Sequence, residues 1–159
     1  MMPEMLATLK SLIRSIHRRD EKARLAAEMI RQAGGYRWVG LYDVNETDIA
    51  VIGWSGPSAP TYPRFPRHQG LNGAAVASGE SVVVQDVRRD SRYLTTLGDT
   101  MAEMIVPVRR EDAVIVGTID VESAIVDAFS DHDQELLRQC GEILRPLWTD
   151  GICYEQENP

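Results

Sequence analysis

Cysteine is nearly absent from this 159-residue chain. The two present, Cys140 and Cys153, both come late, so nothing before residue 140 supplies a thiol. Histidine is as scarce: His17, His68 and His132 read as a helix, a loop and a helix-start residue, too far apart in sequence to suggest a metal set. No cofactor and no metal are therefore expected. Positive charge is in deficit, with 24 acidic residues against 17 Lys and Arg and a net charge of −7. Such a surface repels phosphate backbones and anionic bilayers, which removes nucleic acid and membrane from the expected partners. Long apolar runs are missing too, since no stretch approaches the ~18 residues of a membrane helix. The N-terminal MMPEMLATLKSLIRSIHRRD lacks the apolar core and small-residue cleavage site of a signal peptide, and the expected location is cytoplasmic. Gly70, Gly73 and Gly79 do not have dinucleotide-fingerprint spacing, Ser/His/Asp triad motifs are absent, and no repeat or linker divides the chain. The length fits one domain across 1–159, with a core of about 25–148, a helical segment at 3–24 and a flexible tail at 151–159.

What is present centres on MAEMIVPVRREDAVIVGTIDVES, residues 101–123. Val, Ile and Thr dominate two runs that read as an antiparallel hairpin: Glu103–Arg109, a turn at 110–113, and Val114–Glu122. Side chains alternate faces along a strand, so Asp120 and Glu122 share one face. If Arg109 faces Val114, then Glu103 faces Asp120, and three carboxylates gather at one end of an apolar hairpin. Such a cluster is either a solvated sheet end or the polar part of a pocket.

Before this hairpin, residues 3–33 read as helical. Leu6, Leu9, Ile13, Ile16, Ala23, Ala27 and Ile30 form one apolar stripe, and the charged run 18–22 is a candidate break. The stripe suits either the chain's own sheet or the seam of a homodimer. Gly34-Gly35 ends the helix. Tyr36–Asp43 and Ile49–Trp54 read as strands joined by a turn at 45–48. Trp38 is expected in the core, and Trp54 either packs or caps a ligand. The Pro-, Gly- and Ser-rich stretch 55–69 is long for a loop and carries Arg64, Arg67 and His68, cations that either face solvent or meet an anionic group. A short helix at 70–79, a strand at 81–85 and a polar stretch at 86–93, with Asp90 as a cap, follow. After the hairpin, Ser130 with an acid three residues on starts a last amphipathic helix through Leu136, Leu137, Cys140, Ile143, Leu144 and Leu147, with Pro146 kinking it or marking its last turn. This order implies an α+β fold, an antiparallel sheet with the terminal helices on one face and the two long loops over the other, leaving a cavity between sheet and loops.

WVGLY at 38–42, GLNGAAVASGESVVVQDV at 70–87, AEMIVPV at 102–108, VIVGTIDVES at 114–123 and FSDHDQELL at 129–137 together resemble a GAF domain, a small-molecule-sensing module. Within that fold the likeness is to the free methionine-(R)-sulfoxide reductases. The resemblance implies that Glu103, Asp120 and Glu122 match acidic positions that hold the sulfoxide and its amino group. It also implies cysteines where this chain has Tyr62, Asn72 and Thr96. Sulfoxide reduction needs a thiolate nucleophile and a second, resolving thiol, and these three side chains provide neither. Cys140 falls on the apolar face of the last helix and Cys153 in the tail.

Three functions remain open at this point. The first is a non-catalytic sensor or regulatory module that holds an amino acid or amine, with Glu103, Asp120, Glu122, Asn72 and Thr96 around its polar groups, Trp54 and Tyr62 as walls, and Arg64 for an anionic group. The second is an enzyme that kept the fold and changed the chemistry, its clustered carboxylates acting as acid and base. The third is a dimeric scaffold with a vestigial pocket, joined through the N- and C-terminal helices.

Overall fold

The computed structural model describes residues 2–95 and 98–150. The expectations that fall on Thr96, on Cys153 and on the tail lie outside the described residues. The N-terminal stripe divides into two helices, α1 (Met2–Ile13) and α2 (Arg19–Gly34), but the break at 14–18 comes ahead of the charged run, most of which forms the first turn of α2. Gly35 closes α2 in the left-handed conformation, with its N–H on the Arg31 carbonyl. Strands β1 (Trp38–Val44) and β2 (Asp48–Ser55) form the first hairpin. The 55–69 stretch, expected as loop throughout, contains a short edge strand, β3 (Arg64–Pro66), paired with β2. Next come α3 (Gly70–Ser78), β4 (Val82–Val84), a 3-10 turn at Val87–Arg89, β5 (Ala102–Arg109) and β6 (Ile115–Ser123). The cap of that 3-10 turn is Asp86, which accepts from the Arg88 N–H, and not Asp90, which sits at its other end. The last helix, α4 (Asp131–Leu144), opens on a reciprocal Ser130–Asp133 capping box. Pro146 then occupies the first turn of a separate four-residue helix, α5 (Pro146–Thr149).

All strand pairs are antiparallel, in the order β3-β2-β1-β6-β5-β4. The β5–β6 register differs from the expected one. Glu103 faces Glu122, and Ile105 faces Asp120. The loop keeps one more residue than a four-residue turn, and an irregularity beside Val108/Arg109 absorbs another. The two together slip the pair by two residues. A slip of two leaves every side chain on its original face, so the three carboxylates still point the same way.

Helices α1, α2, α4 and α5 cover one face of the sheet around Leu9, Ala27, Ile30, Leu41, Met104, Ile119 and Leu137. Most of the N-terminal stripe is thus in the chain's own core, although Ile16, between α1 and α2, is fully exposed. The opposite face carries α3, with smaller apolar clusters around Trp38, Tyr42 and Phe65 and around Leu71, Ala75 and Ile105. Trp38 is buried, as its position predicts. Cys140 is fully buried in the helix-covered core, and burial pushes its thiol up to about 12.

Helix α2 lies close to β2 because small residues meet there. Ala23, Ala26 and Ala27 are fully buried, and a Cβ added at Gly53 would stand 2.6 Å from the Arg24 backbone nitrogen. Backbone cannot swing aside as a side chain can, so Gly53→Ala is expected to destabilise the fold by about 1–3 kcal/mol. Urea unfolding measures this, and an unchanged midpoint would show that the helix can retreat without cost.

Candidate functional site

The α3-side face of β1, β6 and β5 carries a polar patch within an otherwise apolar layer. Glu103, Asp120 and Glu122 are 5 %, 4 % and 1 % exposed. Their carboxylate oxygens lie within 4.8 Å of one another, the only such group of potential cation ligands among the described residues. Asn72, on the first turn of α3, ties this patch to the helix. Its Nδ2 donates to Asp120 Oδ2 at 2.9 Å, and its Oδ1 accepts from Thr118 Oγ1 at 2.6 Å. Thr100 Oγ1 donates to Glu122 Oε2 at 2.9 Å. Asp120 Oδ1 is buried without a donor. Asp120 thus meets the Asn72 amide and the neighbouring Glu103 carboxyl, and Asn72 in turn meets the Thr118 hydroxyl.

That arrangement raises the carboxyl pKa values. Desolvation, then the charges of Asp120 and Glu122, push Glu103 well above the usual carboxylate range. Desolvation and the Glu122 charge push Asp120 up to about 7, against the lowering effect of hydrogen bonds from Glu103 and Asn72. A proton held by Glu103 is thus shared toward Asp120. The Tyr42 phenol, buried and surrounded by the same three charges, is held protonated well above its ordinary range.

The remaining expected site residues fall at different distances from this patch. Trp54 pairs with Gly40, and Gly40 pairs with Asp120 across the next strand, so the Trp54 backbone lies two strand spacings, about 10 Å, from that of Asp120. Trp38 and Tyr42 fold over the gap: a Cβ on Gly40 would lie 2.3 Å from the Trp38 ring and 2.9 Å from Tyr42. Trp54 is partly buried against that aromatic cluster. Tyr62 is 40 % exposed. Arg64 lies on edge strand β3 and is ion-paired with Asp48, on the far side of the sheet from β5. Arg67 donates to the Asn45 carbonyl. Thr118, Thr100 and Tyr42 belong to the site and were not foreseen. Thr118 sits two residues before Asp120, so strand alternation alone would have placed it on the same face.

With this geometry in view, comparison with known proteins gives the class. The GAF domain family model matches residues 18–144, and the chain belongs to that family of small-molecule-binding regulatory folds. Among individual proteins, it is 26% identical over 110 residues to the free methionine-R-sulfoxide reductase of Saccharomyces cerevisiae, covering 67% of this chain and 60% of the yeast protein. It is 29% identical over 109 residues to protein YtsP of Bacillus subtilis, covering 67% and 65%. The chain therefore spans somewhat less than two thirds of the length of these relatives. The fold superposes on the Neisseria meningitidis free methionine-R-sulfoxide reductase in complex with its substrate with a TM-score of 0.86, at 24% identity and coverage of 96% and 91%.

The raised Asp120 carboxyl has a measurable consequence. Its folded-state value of about 7 exceeds the ~3.9 of an unfolded aspartate, so between those values the folded chain binds more protons than the unfolded one. Its contribution to stability is full below about pH 4 and is lost as pH rises through about 7. Asp120→Asn removes that loss, so the variant is expected to gain on the unaltered chain steadily from pH 4 to 8 in denaturant unfolding. A constant difference between the two across that range would mean that Asp120 titrates normally.

Proposed function

We propose that this chain is a non-catalytic GAF sensor whose ligand presents an amine, or a comparable cationic or hydrogen-bond-donating group, to Glu103, Asp120 and Glu122. One observation carries the reading: a buried acidic cluster in which Asp120 Oδ1 has no donor. Burying three carboxyl groups side by side is costly, and either protons or a cationic ligand relieve it. Asn72 presents its amide nitrogen to the cluster, so the set is not the all-oxygen cage of a hard metal ion. A free amino acid fits this chemistry. The named substrate of the methionine-R-sulfoxide reductase relatives makes methionine (R)-sulfoxide the first ligand to try.

Binding is favoured over reduction because the positions that resemblance assigns to cysteine hold Tyr62 and Asn72, as well as Thr96. The described cysteine, Cys140, lies in the core under the other face of the sheet, its thiol protonated. Sensing is favoured over a bare scaffold because the N-terminal stripe is largely occupied with the chain's own sheet. A homodimer through the terminal helices and a cytoplasmic location belong to the same proposal.

A thermal-shift panel of free amino acids, both methionine sulfoxide epimers, amines and cyclic nucleotides tests the reading. A ligand at ~100 times its dissociation constant adds about 2.7 kcal/mol of stability. Glu103→Gln is expected to weaken that binding by roughly 1.5–3 kcal/mol, the scale of a hydrogen bond to a charged group. For an amine ligand, affinity should rise as pH goes from 5 to 7.5, because the carboxyls must release protons to receive it. Turnover of methionine (R)-sulfoxide with a thiol reductant would overturn the non-catalytic reading, and a panel without any shift would overturn the sensor.

A further inference from the structure

A different cavity, of about 500 Å³, opens where α2 ends, β1 begins, and β2 and β6 finish. Arg31 and Arg37 line it together with Tyr36, Pro57, Ser123 and Ile125, and none of its lining residues is acidic. Two arginines line it in a chain of net charge −7. Arg31 comes from the last turn of α2 and donates through Nε to Ser55 Oγ at 2.8 Å. Its terminal nitrogens have no partner among the described residues. Arg37 is ion-paired with Asp99 through Nη2, while its Nε is buried and unpartnered. The rim is apolar: Ile125 is 67% exposed, and Pro57 stands opposite on the segment after β2. None of the acidic-cluster residues lines this cavity, though Arg37 N–H donates to the Glu122 carbonyl at 2.9 Å.

We propose that this cavity is a second binding site, for a small organic anion with a carboxylate or phosphate head and an apolar body. The head meets the open terminal nitrogens of Arg31, with Arg37, whose Nη2 is held by Asp99, lining the same cavity. The body lies against Ile125 and Pro57 and removes the most exposed isoleucine of this end of the sheet from water.

Titration calorimetry with phenyl phosphate, hexanoate and inorganic phosphate tests the proposal on the full chain. The two amphipathic anions are expected to saturate one site. Arg31→Gln should weaken both about tenfold, the effect of losing one charge-assisted hydrogen bond. Arg37→Lys, which keeps the charge and loses the fork, should weaken them as well. Ile125→Ser should weaken phenyl phosphate and hexanoate and leave inorganic phosphate unchanged. Glu103→Gln should alter none of these affinities, so failure of the amine site and failure of this one are separable. The absence of saturable binding, or equal affinity in Arg31→Gln and the unaltered chain, would overturn the assignment.

Discussion

The pairing of β1 with β6 is the contact on which the rest depends. These strands are about eighty residues apart in sequence, yet they lie side by side at the middle of the six-stranded sheet. Each carries one half-sheet outward, β2 and β3 on one side, β5 and β4 on the other. Their register sets Gly40 against Asp120 and Trp38 against Glu122. The strand that brings the aromatic rings and the strand that brings the carboxylates are therefore direct neighbours. A side chain at residue 40 would occupy the space into which Trp38 and Tyr42 fold.

The two faces of the sheet do different work. On the helix-covered face, apolar residues from both chain ends interlock and the thiol of Cys140 is one small member of that packing. On the other face α3 sits on β4, β5 and β6 and lowers Asn72 onto the acidic patch. Closing α3 over three carboxylates trades stability for a charged pocket, since each carboxyl loses water and faces like charges. Asn72 and the threonines recover part of that cost by hydrogen bonding, but leave one oxygen of Asp120 unmet. Protonation or a complementary cationic group would offset that cost.

Much of this was legible in the sequence, for definite reasons. Period-two alternation put Asp120 and Glu122 on one face, and no packing detail can change that parity. Capping chemistry placed the start of α4, and Gly35 the end of α2. What escaped was decided by contacts between distant segments. The short strand β3 has only three residues, among them two of its own loop's prolines and arginines, and it exists because β2 offers an edge. Arg64 carries charge suitable for a ligand, but Asp48 across that same pairing takes it up. Thr100 and Tyr42 come to the pocket through the β1–β6 and β5–β6 registers, which a linear pattern does not contain. Asp90 and Asp86 have equal capping chemistry, and only the path of the chain after β4 selects Asp86.

The irregularity in the β5–β6 hairpin carries a lesson about how such a chain can change length. Facing in a strand depends on odd or even count alone. An insertion of one residue near the 110–114 loop would turn the carboxylates of β6 toward the helices unless a bulge took it up. The hairpin already contains that device, between Val108 and Arg109. Its tip can therefore lengthen or shorten among descendants of this gene while the acid-bearing end stays in phase, so the segment most free to drift is insulated from the buried carboxyl cluster.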